Sequence, residues 1–522
     1  MSDTEEVSLF VHFAAEIIRR QTLRHTPPPG RMRRRSPVPI PCRLEWPIAS
    51  DRLAIVAADG LFAYDDLAQA ASRVAAELTP GGRDLDEQRV AFLVPPSFAY
   101  VVISRGIWLA GGVAVPLAVS HPPAELEYVI RDAGASIVVG GGPHAGALQS
   151  VAAAVGARFL RTADLLATGA APRPAVEPPA DRRAMIVYTS GTTGRPKGVV
   201  TTHGNMAAQI ASLVAAWEWT RADCALLVLP LHHVHGIINV LGCAVAVGAR
   251  CEILPQFEPE TTWDRLSSGD VTVFSAVPTI YHRLIQSWEA ASPAVQRART
   301  DGCRRVRLMM SGSAALPVAT LERWREISGH TLLERYGMTE LGMVLSNPLH
   351  GGRRAGFVGT PLPGVEVRLL DGEIEVRGPG VFLEYWRRPE ETRKAFREGW
   401  FRTGDLAIVE GGMYRLRGRS SVDIIKTGGY KVSALEIEDV IRKHPGVSDC
   451  AVVGLADPEW GERIGVAVEL RPDETLSLGE LQAWARDRLA PYKQPRCLCC
   501  VAALPRNAMG KVLKADVTQL LL

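Results

Sequence analysis

A loop rich in hydroxyl groups, glycines and positive charge follows directly after an apolar run. The run covers residues 184–188, and the loop reads Thr-Ser-Gly-Thr-Thr-Gly-Arg-Pro-Lys-Gly over residues 189–198. Glycines let successive backbone N–H groups face one phosphate, hydroxyl groups add donors, and Lys197 adds a positive charge. The pattern therefore predicts a polyphosphate site. It is not the GxxxxGK[ST] loop of P-loop kinases, because Pro196 stands where that pattern requires its second glycine.

Further motifs rich in glycine and charge follow along the chain. They are Arg-Tyr-Gly-Met-Thr-Glu at 335–340, Thr-Gly-Asp at 403–405, Gly-Arg at 418–419, Lys-Thr-Gly-Gly-Tyr-Lys at 426–431 and Pro-Arg-Asn-Ala-Met-Gly-Lys at 505–511. Alone, a residue such as Asp405 or Lys511 is more often a solvated surface charge than a functional group. As an ordered set on one chain, the motifs are far more specific than any one of them.

Together with the loop, these motifs resemble those of the acyl-adenylate-forming superfamily, which includes acyl-CoA synthetases, luciferases and peptide-synthetase adenylation domains. The resemblance covers roughly residues 50–515. It implies an AMP-forming acid–thiol ligase, which joins a carboxylic acid to AMP and then transfers the acyl group to a thiol. The implied cofactors and co-substrates are ATP, Mg²⁺ and coenzyme A.

The resemblance also implies where the nucleotide binds. The β- and γ-phosphates would be held by the loop residues Thr189, Ser190, Gly191, Thr192, Thr193, Gly194 and Lys197. The rest of the cofactor site would comprise Glu334, Tyr336, Gly337, Met338, Thr339, Asp405, Arg419, Lys426, Gly428 and Gly429. Tyr336 would stack on adenine, Thr339 would meet the α-phosphate and Asp405 would accept hydrogen bonds from the ribose. Glu340 would bind Mg²⁺, a hard cation that prefers oxygen ligands.

Lys511 would bridge the substrate carboxylate and the α-phosphate, where negative charge accumulates as the carboxylate attacks phosphorus. It lies near the C-terminus, in a small domain, whereas the phosphate loop lies in a large one, so the two domains must close on each other. The resemblance implies a second arrangement, reached by rotation about a hinge at residues 419–423. There Gly428 and Gly429 would help to form a tunnel for the pantetheine thiol. The predicted catalytic residues are Lys511, Thr339 and His233.

A group of histidines bears on the acid that is activated. His232, His233 and His235 follow the apolar run 225–229, and the resemblance places residues of this segment along the acyl pocket. A zinc site is the alternative interpretation, but no carboxylate or thiolate completes one there. His233 and His235 are therefore predicted as substrate-binding residues.

Arg283 and Ser313 are the other candidates for the acid pocket. Arg283 falls within the first two turns of a helix predicted to start at Pro278, directly after the apolar run 271–276. Ligands of open α/β sheets bind at the carboxyl ends of strands, and Ser313 follows the next such run, 306–310. A cation near a helix N-terminus is unfavourable by a few tenths to about 1 kcal/mol, which an anionic ligand would offset. The alternative is an ordinary solvated arginine.

Four segments narrow the resemblance to malonyl-CoA synthetases. They are His-Val-His-Gly at 233–236, Val-Pro-Thr-Ile-Tyr-His-Arg at 277–283, Ser-Gly-Ser-Ala-Ala-Leu-Pro at 311–317 and Leu-Glu-Arg-Tyr-Gly-Met-Thr-Glu at 333–340. The likeness implies that Arg283 and Ser313 bind the distal carboxylate of malonate or methylmalonate. A ligase for another short-chain or aryl acid, a peptide-synthetase adenylation domain and a non-catalytic relative remain alternatives.

The elements that must position these residues follow from the hydrophobic pattern. At 522 residues, two to four compact units are expected. Up to about residue 364, short apolar runs alternate with helical stretches, which predicts parallel sheets covered by helices. Residues 365–416 have shorter runs separated by glycines, as in a small β-barrel-like unit. A small, mobile α+β domain follows. Ser433 and Glu436 have the spacing of a capping box before its first helix.

The predicted domains are therefore a leader at 1–45, disordered in part, a large ATP- and acid-binding domain at 46–418 and a small domain at 419–522. Cys497, Cys499 and Cys500 lie in an apolar run that predicts a buried strand. The leader contains an amphipathic stretch and a basic cluster, but its acidic residues disfavour a transit peptide. A cytoplasmic enzyme is predicted, or a mitochondrial matrix enzyme if the source is eukaryotic.

Composition limits the partners. The formal charge of +3 is small for this length and argues against a general nucleic-acid or membrane-surface role. No uncharged apolar run reaches the roughly 18 residues of a membrane span. The predicted partners are small molecules, namely malonate or methylmalonate, ATP and CoA, and the oligomeric state stays open.

Overall fold

The computed structural model describes residues 50–522, apart from 173–175, 190–195, 421, 428–429, 459 and 508–509. Several sequence predictions therefore lie outside the described residues. They are the leader, the loop residues Ser190, Gly191, Thr192, Thr193 and Gly194, and the glycines Gly428 and Gly429.

The described strands form four sheets. In chain order they are β1 Leu53–Ala57, β2 Gly60–Ala63, β3 Arg89–Leu93, β4 Val113–Pro116, β5 Ile137–Gly140, β6 Arg158–Arg161, β7 Arg183–Thr189, β8 Lys197–Thr202, β9 Cys224–Leu227, β10 Arg250–Ile253, β11 Val273–Ala276, β12 Leu308–Ser311, β13 Leu333–Met338, β14 Gly342–Ser346, β15 Thr360–Pro361, β16 Glu366–Leu370, β17 Glu373–Arg377, β18 Glu384–Tyr385, β19 Phe396–Arg397, β20 Trp400–Glu410, β21 Met413–Arg419, β22 Ile424–Thr427, β23 Tyr430–Ser433, β24 Val447–Asp457, β25 Gly461–Leu470 and β26 Cys497–Val501.

Helices pack between and around the sheets. The α-helices are Tyr64–Leu78, Phe98–Leu109, Pro123–Ala133, Ala145–Val155, Thr162–Leu166, His203–Trp217, Cys243–Ala246, Pro259–Ser267, Pro278–Ala290, Pro293–Cys303, Val318–Ser328, Pro389–Ala395, Ala434–Ile441, Leu478–Ala485 and Lys514–Leu521. Short 3₁₀ segments are Gly142–His144 and Pro491–Lys493, and a π-helical segment is His235–Gly242. None of these described helices has the length and apolar character needed to cross a membrane.

Two large sheets are mainly parallel, which confirms the α/β prediction. The nine-stranded sheet has the order β15-β14-β13-β12-β11-β9-β10-β1-β2, and its pairs from β13 to β1 are parallel. The seven-stranded sheet has the order β18-β8-β7-β4-β3-β5-β6, and its pairs from β7 to β6 are parallel. Helices cover both faces, so strands such as β11 and β12 are buried throughout and read as continuous apolar runs.

The order of strands in the larger sheet decides where its loops meet. The strands β13, β12, β11 and β9 are neighbours, and they run parallel. Their carboxyl ends therefore lie along one edge of the sheet. The predicted acid-binding residues His233, His235, Arg283 and Ser313 lie in the segments that follow β9, β11 and β12, and Thr339 and Glu340 follow β13, so these segments converge at that edge.

A small antiparallel sheet forms the barrel-like unit predicted after residue 364. Its order is β16-β17-β20-β19, and β21 pairs with β20. In the pairing of β20 with β21, Asp405 lies opposite Arg419. Two residues of the predicted nucleotide site are thus placed side by side by strand register.

The C-terminal domain is built on the sheet β23-β22-β25-β24, with β26 parallel to β25. Two of the hydrophobic clusters among the described residues consist only of residues from 425 onward. Ser433 caps the helix Ala434–Ile441, since its hydroxyl oxygen accepts from the Glu436 N–H at 3.3 Å. The Glu436 carboxylate forms an ion pair with Lys493.

The prediction of a buried strand at Cys497–Val501 is correct for the strand and wrong for its burial. Cys497 and Cys499 are half-buried and Cys500 is exposed. The reason is topological, because β26 pairs with β25 alone among the described strands and one of its sides stays open.

Candidate active site

A cavity of about 1060 Å³ lies between the edge of the nine-stranded sheet, the small barrel-like sheet and the C-terminal domain. It brings together residues that are up to several hundred positions apart in the sequence. The predicted site residues that line it are Thr189, Lys197, His233, His235, Arg283, Ser313, Glu334, Tyr336, Gly337, Met338, Thr339, Glu340, Asp405, Arg419 and Lys511.

Lys426 is the described residue of the predicted site that does not line this cavity. It is exposed on β22, and its backbone N–H donates to the Glu462 carboxylate at 2.5 Å. Its role in binding a cofactor stays a prediction.

The two ends of the glycine-rich loop are fixed by strand pairing. Thr189, at the end of β7, pairs with Lys197, at the start of β8. The hydroxyl group of Tyr128 donates to the carbonyl of Pro196 at 2.8 Å and holds the loop stem to the helix Pro123–Ala133. The side chains of Thr189 and Lys197 therefore flank the loop at the wall of the cavity.

Glu340 is a buried carboxylate that faces the cavity near Lys197. The hydroxyl group of Tyr385 donates to its Oε1 atom at 2.8 Å. Burial raises the pKa of Glu340, and the positive charges of Arg419 and Lys197 act in the opposite direction. The described part of the chain contains no group of three or more histidine, cysteine or carboxylate side chains that could hold a metal ion.

Asp405 is held by two hydrogen-bond donors, one on β13 and one at the end of β21. The Tyr336 hydroxyl group donates to Oδ2 at 2.6 Å, and Arg419 Nε donates to Oδ1 at 3.0 Å. Each carboxylate oxygen has two lone pairs, so each keeps one for a ligand in the cavity. This arrangement leaves Asp405 oriented and able to accept two further hydrogen bonds.

Glu334 is buried with one carboxylate oxygen unpartnered. Its Oε1 atom accepts from the Leu316 N–H at 3.4 Å, while Oε2 has no partner. Burial raises the pKa of Glu334 to about 8. The carboxyl group is consequently protonated at neutral pH, and it can donate a hydrogen bond into the cavity.

Lys511 reaches the cavity from the C-terminal domain. Its neighbour Gly510 has a φ of +72° and packs so closely on Thr279 that a Cβ atom there would lie 2.4 Å from Thr279 Oγ1. Although Lys511 keeps contact with solvent, its surroundings lower its pKa, mainly through desolvation and then through the charge of Arg419. Gly510 thus packs on the start of the helix Pro278–Ala290, and Lys511 lines the cavity together with the predicted nucleotide-site residues.

His235 is the centre of a buried polar cluster that includes Ser313, one of the predicted acid-binding residues. Its Nδ1 atom lies 3.0 Å from Ser313 Oγ and its Nε2 atom lies 2.9 Å from Ser275 Oγ. The guanidinium group of Arg335 also contacts Nε2. Burial, and next the charge of Arg335, lower the pKa of His235 well below its usual value. The imidazole is therefore neutral.

The contacts of this imidazole assign its tautomer. A guanidinium group can only donate, so Nε2 must be the acceptor and the proton must reside on Nδ1. The Nδ1–H group then donates to Ser313 Oγ, which leaves the Ser313 hydroxyl proton free for another acceptor. Ser313 has a φ of +69°, an uncommon conformation for a residue with a side chain and one that is frequent at functional sites.

Arg335 is the residue of this site that sequence reasoning missed. It is 3% exposed, it lines the cavity, and its Nε and Nη1 atoms have no hydrogen-bond partner. Burial lowers its pKa to about 10, so the group is still charged at neutral pH. No described carboxylate pairs with it. Gly312 makes room for it, because a Cβ atom at that position would lie 2.0 Å from Arg335 Nη1.

A signal for Arg335 is present in the sequence. Successive residues of a strand point to opposite faces, so Arg335 must face away from Glu334 and Tyr336 on β13. A charged residue in a buried strand needs a partner, and the neighbouring Glu334 is predicted to point to the opposite face.

Arg283 and His233 are the other two predicted acid-pocket residues. Arg283 is exposed at the cavity, and its guanidinium carbon lies 5.0 Å from the centroid of the Phe257 ring. His233 lines the cavity, and burial lowers its pKa to about 4. His233 is thus neutral at physiological pH, whereas Arg283 brings a positive charge.

Comparisons with known proteins agree with this geometry. The family model described as "AMP-binding enzyme" matches residues 47–386, and the model "AMP-binding enzyme C-terminal domain" matches residues 436–511. Among curated proteins, the chain is 46% identical to the mitochondrial malonate–CoA ligase ACSF3 of Mus musculus over 513 residues, which cover 90% of this chain and 88% of that protein.

Two solved structures resemble this chain with almost equal sequence identity. ATP-bound MatB from Rhodopseudomonas palustris has a TM-score of 0.84 and 36% identity, covering 90% of this chain and 95% of that one. A malonyl-CoA ligase ternary product complex with methylmalonyl-CoA and AMP has a TM-score of 0.64 and 37% identity, covering 90% and 100%. By TM-score, the overall structure of this chain is thus more similar to ATP-bound MatB than to the product complex.

Proposed function

The chain belongs to the family of AMP-binding enzymes, and on this premise we propose that it is a malonate–CoA ligase. It is an AMP-forming acid–thiol ligase that uses ATP and coenzyme A. Malonate, or its methyl derivative, reacts first with ATP to give the acyl-adenylate and pyrophosphate. The acyl group then passes to the thiol of CoA, and AMP is released.

The buried guanidinium of Arg335 is the observation that carries the choice of acid. A buried cation without a counter-ion costs several kcal/mol, whereas a substrate carboxylate would compensate it and satisfy its unpartnered donors. Its Nε and Nη1 atoms are free and the side chain lines the cavity. A pocket for a fatty acid or an uncharged aryl acid would gain nothing from such a group. A small dicarboxylate fits it.

Ser313 and Arg283 complete the proposed contacts with the distal carboxylate. His235 accepts from Arg335 and donates to Ser313, which directs the Ser313 hydroxyl proton towards the substrate. Arg283 adds a second positive charge at the more exposed side of the cavity, as the sequence analysis proposed. The neutral imidazole of His233 lines the cavity as an uncharged polar group.

The reacting carboxylate is proposed to meet Lys511 and Thr339 at the α-phosphate. Lys197 and the loop that starts at Thr189 would hold the β- and γ-phosphates. Asp405, oriented by Tyr336 and Arg419, would accept from the ribose hydroxyl groups. Glu334, Tyr336, Gly337 and Met338 line the same cavity and would surround the adenine ring.

Mg²⁺ is the proposed metal cofactor, and Glu340 is its proposed protein ligand. Mg²⁺ commonly binds one or two carboxylates together with phosphate oxygens and water, rather than an all-protein cage. The buried carboxylate of Glu340, which lines the cavity with Lys197, fits this mode. The ion supplies charge neutralisation to the phosphates when bound. Removal of divalent ions with EDTA should abolish AMP release, and Glu340→Gln should raise the Mg²⁺ concentration needed for half-maximal activity.

We further propose the domain limits 1–45, 46–418 and 419–522, with the hinge at residues 419–423. In this segment the Arg419 N–H donates to Asp423 Oδ2 at 3.0 Å, and the Ser420 N–H donates to the Gly404 carbonyl at 2.9 Å. Rotation of the C-terminal domain would break such contacts and withdraw Lys511. It would also give Lys426, Gly428 and Gly429 their predicted access to the cofactor. The difference between the two TM-scores supports this second arrangement.

The compartment follows the source of the chain in this proposal, cytoplasmic in a bacterium and mitochondrial matrix in a eukaryote. The relative from Mus musculus is named as mitochondrial. Expression of the full chain with a C-terminal fluorescent tag, followed by fractionation, distinguishes the two.

A coupled AMP-release assay tests the function directly. The panel is malonate, methylmalonate, acetate and octanoate, each with ATP, Mg²⁺ and CoA. We expect malonate or methylmalonate to exceed acetate in kcat/KM by a hundredfold or more, since a buried charge pair contributes about 3–5 kcal/mol. Malonate and methylmalonate differ by one methyl group, which a pocket discriminates by only about 1–3 kcal/mol of free energy. Equal rates with acetate would refute the assignment.

A further inference from the structure

Lys197, at the end of the glycine-rich loop, has a partner within the protein. Its ammonium nitrogen lies 2.5 Å from Oε2 of Glu391, in the helix Pro389–Ala395. The same nitrogen lies 5.3 Å from the centroid of the Tyr385 ring, whose hydroxyl group donates to Glu340. The cation proposed to hold the polyphosphate is thus paired with a carboxylate.

Glu391 is held in this position by its own short helix. The Tyr385 N–H donates to Thr392 Oγ1 at 3.0 Å, and this hydroxyl group donates to the Arg388 carbonyl at 2.9 Å. The Arg388 guanidinium lies 3.7 Å from the second oxygen of Glu391. The helix is therefore tied to the strand that carries Tyr385, and its carboxylate stays beside Lys197.

A second set of contacts fixes the same helix to the loop stem. Arg388 Nη2 lies 3.3 Å from the hydroxyl oxygen of Tyr128 and 3.5 Å from a carboxylate oxygen of Asp132. Tyr128 in turn holds the Pro196 carbonyl, and Asp132 accepts from the Tyr188 hydroxyl group at 2.7 Å. The helix that carries Glu391 is therefore linked through Arg388 to residues that contact both ends of the loop.

We propose that Glu391 is a positioning residue whose carboxylate competes with the polyphosphate of ATP for the ammonium group of Lys197. The proposal rests on the proposed function, in which Lys197 binds the β- and γ-phosphates. The triphosphate competes with the Glu391 carboxylate for the ammonium group when ATP binds. After adenylation, the carboxylate takes the ammonium group back as pyrophosphate leaves. Glu391 thereby weakens ATP binding slightly and speeds the release of pyrophosphate.

The exposure of the pair sets the size of the effect. The side chains of Lys197 and Glu391 are 32% and 37% exposed, so water and salt screen their attraction. Ion pairs of this kind give about a twofold to fivefold change in an equilibrium constant. Such a change leaves Lys197 available to the polyphosphate and still alters product release measurably.

Glu391→Gln tests the proposal, with Glu390→Gln as the matched control. Glu390 lies on the same helix, carries the same charge and pairs with Arg393 on the surface. We expect Glu391→Gln to lower the KM for ATP and the inhibition constant of pyrophosphate by about twofold to fivefold each, at low salt. Glu390→Gln should change neither constant. Glu391→Asp keeps the charge, so its KM for ATP and its inhibition constant for pyrophosphate should stay close to those of the unchanged protein.

Binding measurements separate this proposal from the proposed function. Calorimetric titration of ATP and of pyrophosphate into each variant needs no acid substrate, so it reports on Glu391 even if malonate is not turned over. Equal affinities of Glu391→Gln and Glu390→Gln for ATP and for pyrophosphate would overturn the proposal. A weaker affinity in Glu391→Gln, with an unchanged melting temperature, would overturn it as well, because Glu391 would then assist polyphosphate binding.

Discussion

The Nδ1 atom of His235 lies 3.0 Å from the hydroxyl oxygen of Ser313, at the inner end of the cavity. On its other side, the same ring accepts from the Arg335 guanidinium. The ring therefore links a buried cation to a hydroxyl group, and it fixes the direction in which that hydroxyl group can donate. A carboxylate placed between Ser313 and Arg335 would receive hydrogen bonds from both.

Arg335→Met is expected to remove malonate activity selectively. Loss of a buried charge-assisted contact with the substrate should lower kcat/KM for malonate by a hundredfold to a thousandfold. ATP affinity should change little. Because an unpaired buried charge is removed, the melting temperature should stay equal or rise. AMP release and thermal unfolding measure both effects, and an unchanged kcat/KM for malonate would refute the role of Arg335.

Arg283→Leu is expected to act in the same direction but less strongly. Arg283 is exposed, so its attraction for a carboxylate is screened, and a loss of about tenfold in kcat/KM for malonate is expected. ATP binding, measured by calorimetry, should not change. Activity towards malonate equal to that of the unchanged protein would leave Arg283 as an ordinary solvated residue of its helix.

Ser313→Gly tests the contribution of the Ser313 hydroxyl group without changing the backbone conformation. Glycine adopts the φ of +69° at this position without strain, so the variant removes only the donor. A hydrogen bond to a charged group contributes about 1.5–3 kcal/mol, and kcat/KM for malonate should fall by roughly ten- to a hundredfold. Ser311→Ala is the control, since that buried hydroxyl group has no partner and does not line the cavity.

Glu334 should make the stability of the fold depend on pH. Its folded pKa of about 8 lies above the usual 4.5, so the folded state binds the extra proton. The stabilisation is complete below pH 4.5 and is lost as pH rises through 8, by roughly 3–5 kcal/mol in total. Glu334→Gln cannot ionise. It should therefore melt at a higher temperature than the unchanged protein at pH 8.5 and at a similar temperature at pH 5.

Glu375→Gln provides the contrast for that experiment. Glu375 is fully buried but pairs with Arg368 at 2.6 Å and with Arg397 at 3.4 Å. Its loss leaves these cations without their partner, so the variant should melt at a lower temperature at both pH values. A Glu334→Gln variant that behaves like Glu375→Gln would show that Glu334 is ionised in the folded protein.

Lys511→Met should separate the two half-reactions. The positive charge is needed where carboxylate and α-phosphate meet, so malonate-dependent adenylation should fall by about a hundredfold or more. Transfer from supplied malonyl-adenylate to CoA should be affected much less. Because the pKa of Lys511 is lowered, adenylation by the unchanged protein should decline at a pH below the usual 10.5. Equal losses in both half-reactions would contradict this division.

The fold class and most of the candidate-site residues could be predicted from the amino-acid pattern alone. The apolar runs became strands with ends shifted by a few residues, since their periodicity reports burial of the strand. The alternation of strands and helices predicted parallel sheets, and the segments after β9, β11, β12 and β13 meet at the carboxyl ends of the strands, where ligands of such sheets bind. Motif order predicted which residues surround ATP, and those that the structure describes, apart from Lys426, line one cavity.

Which charges are buried, and what they contact, could not be predicted from any local pattern. Arg335 and His235 are 100 positions apart, and no local pattern reports that their contact leaves a guanidinium without a counter-ion. The pairing of Lys197 with Glu391 and the seating of Gly510 on Thr279 are likewise long-range contacts. Sequence periodicity encodes which face of an element is buried. The partner at that face depends on how distant elements pack, and this packing sets the electrostatics of the site.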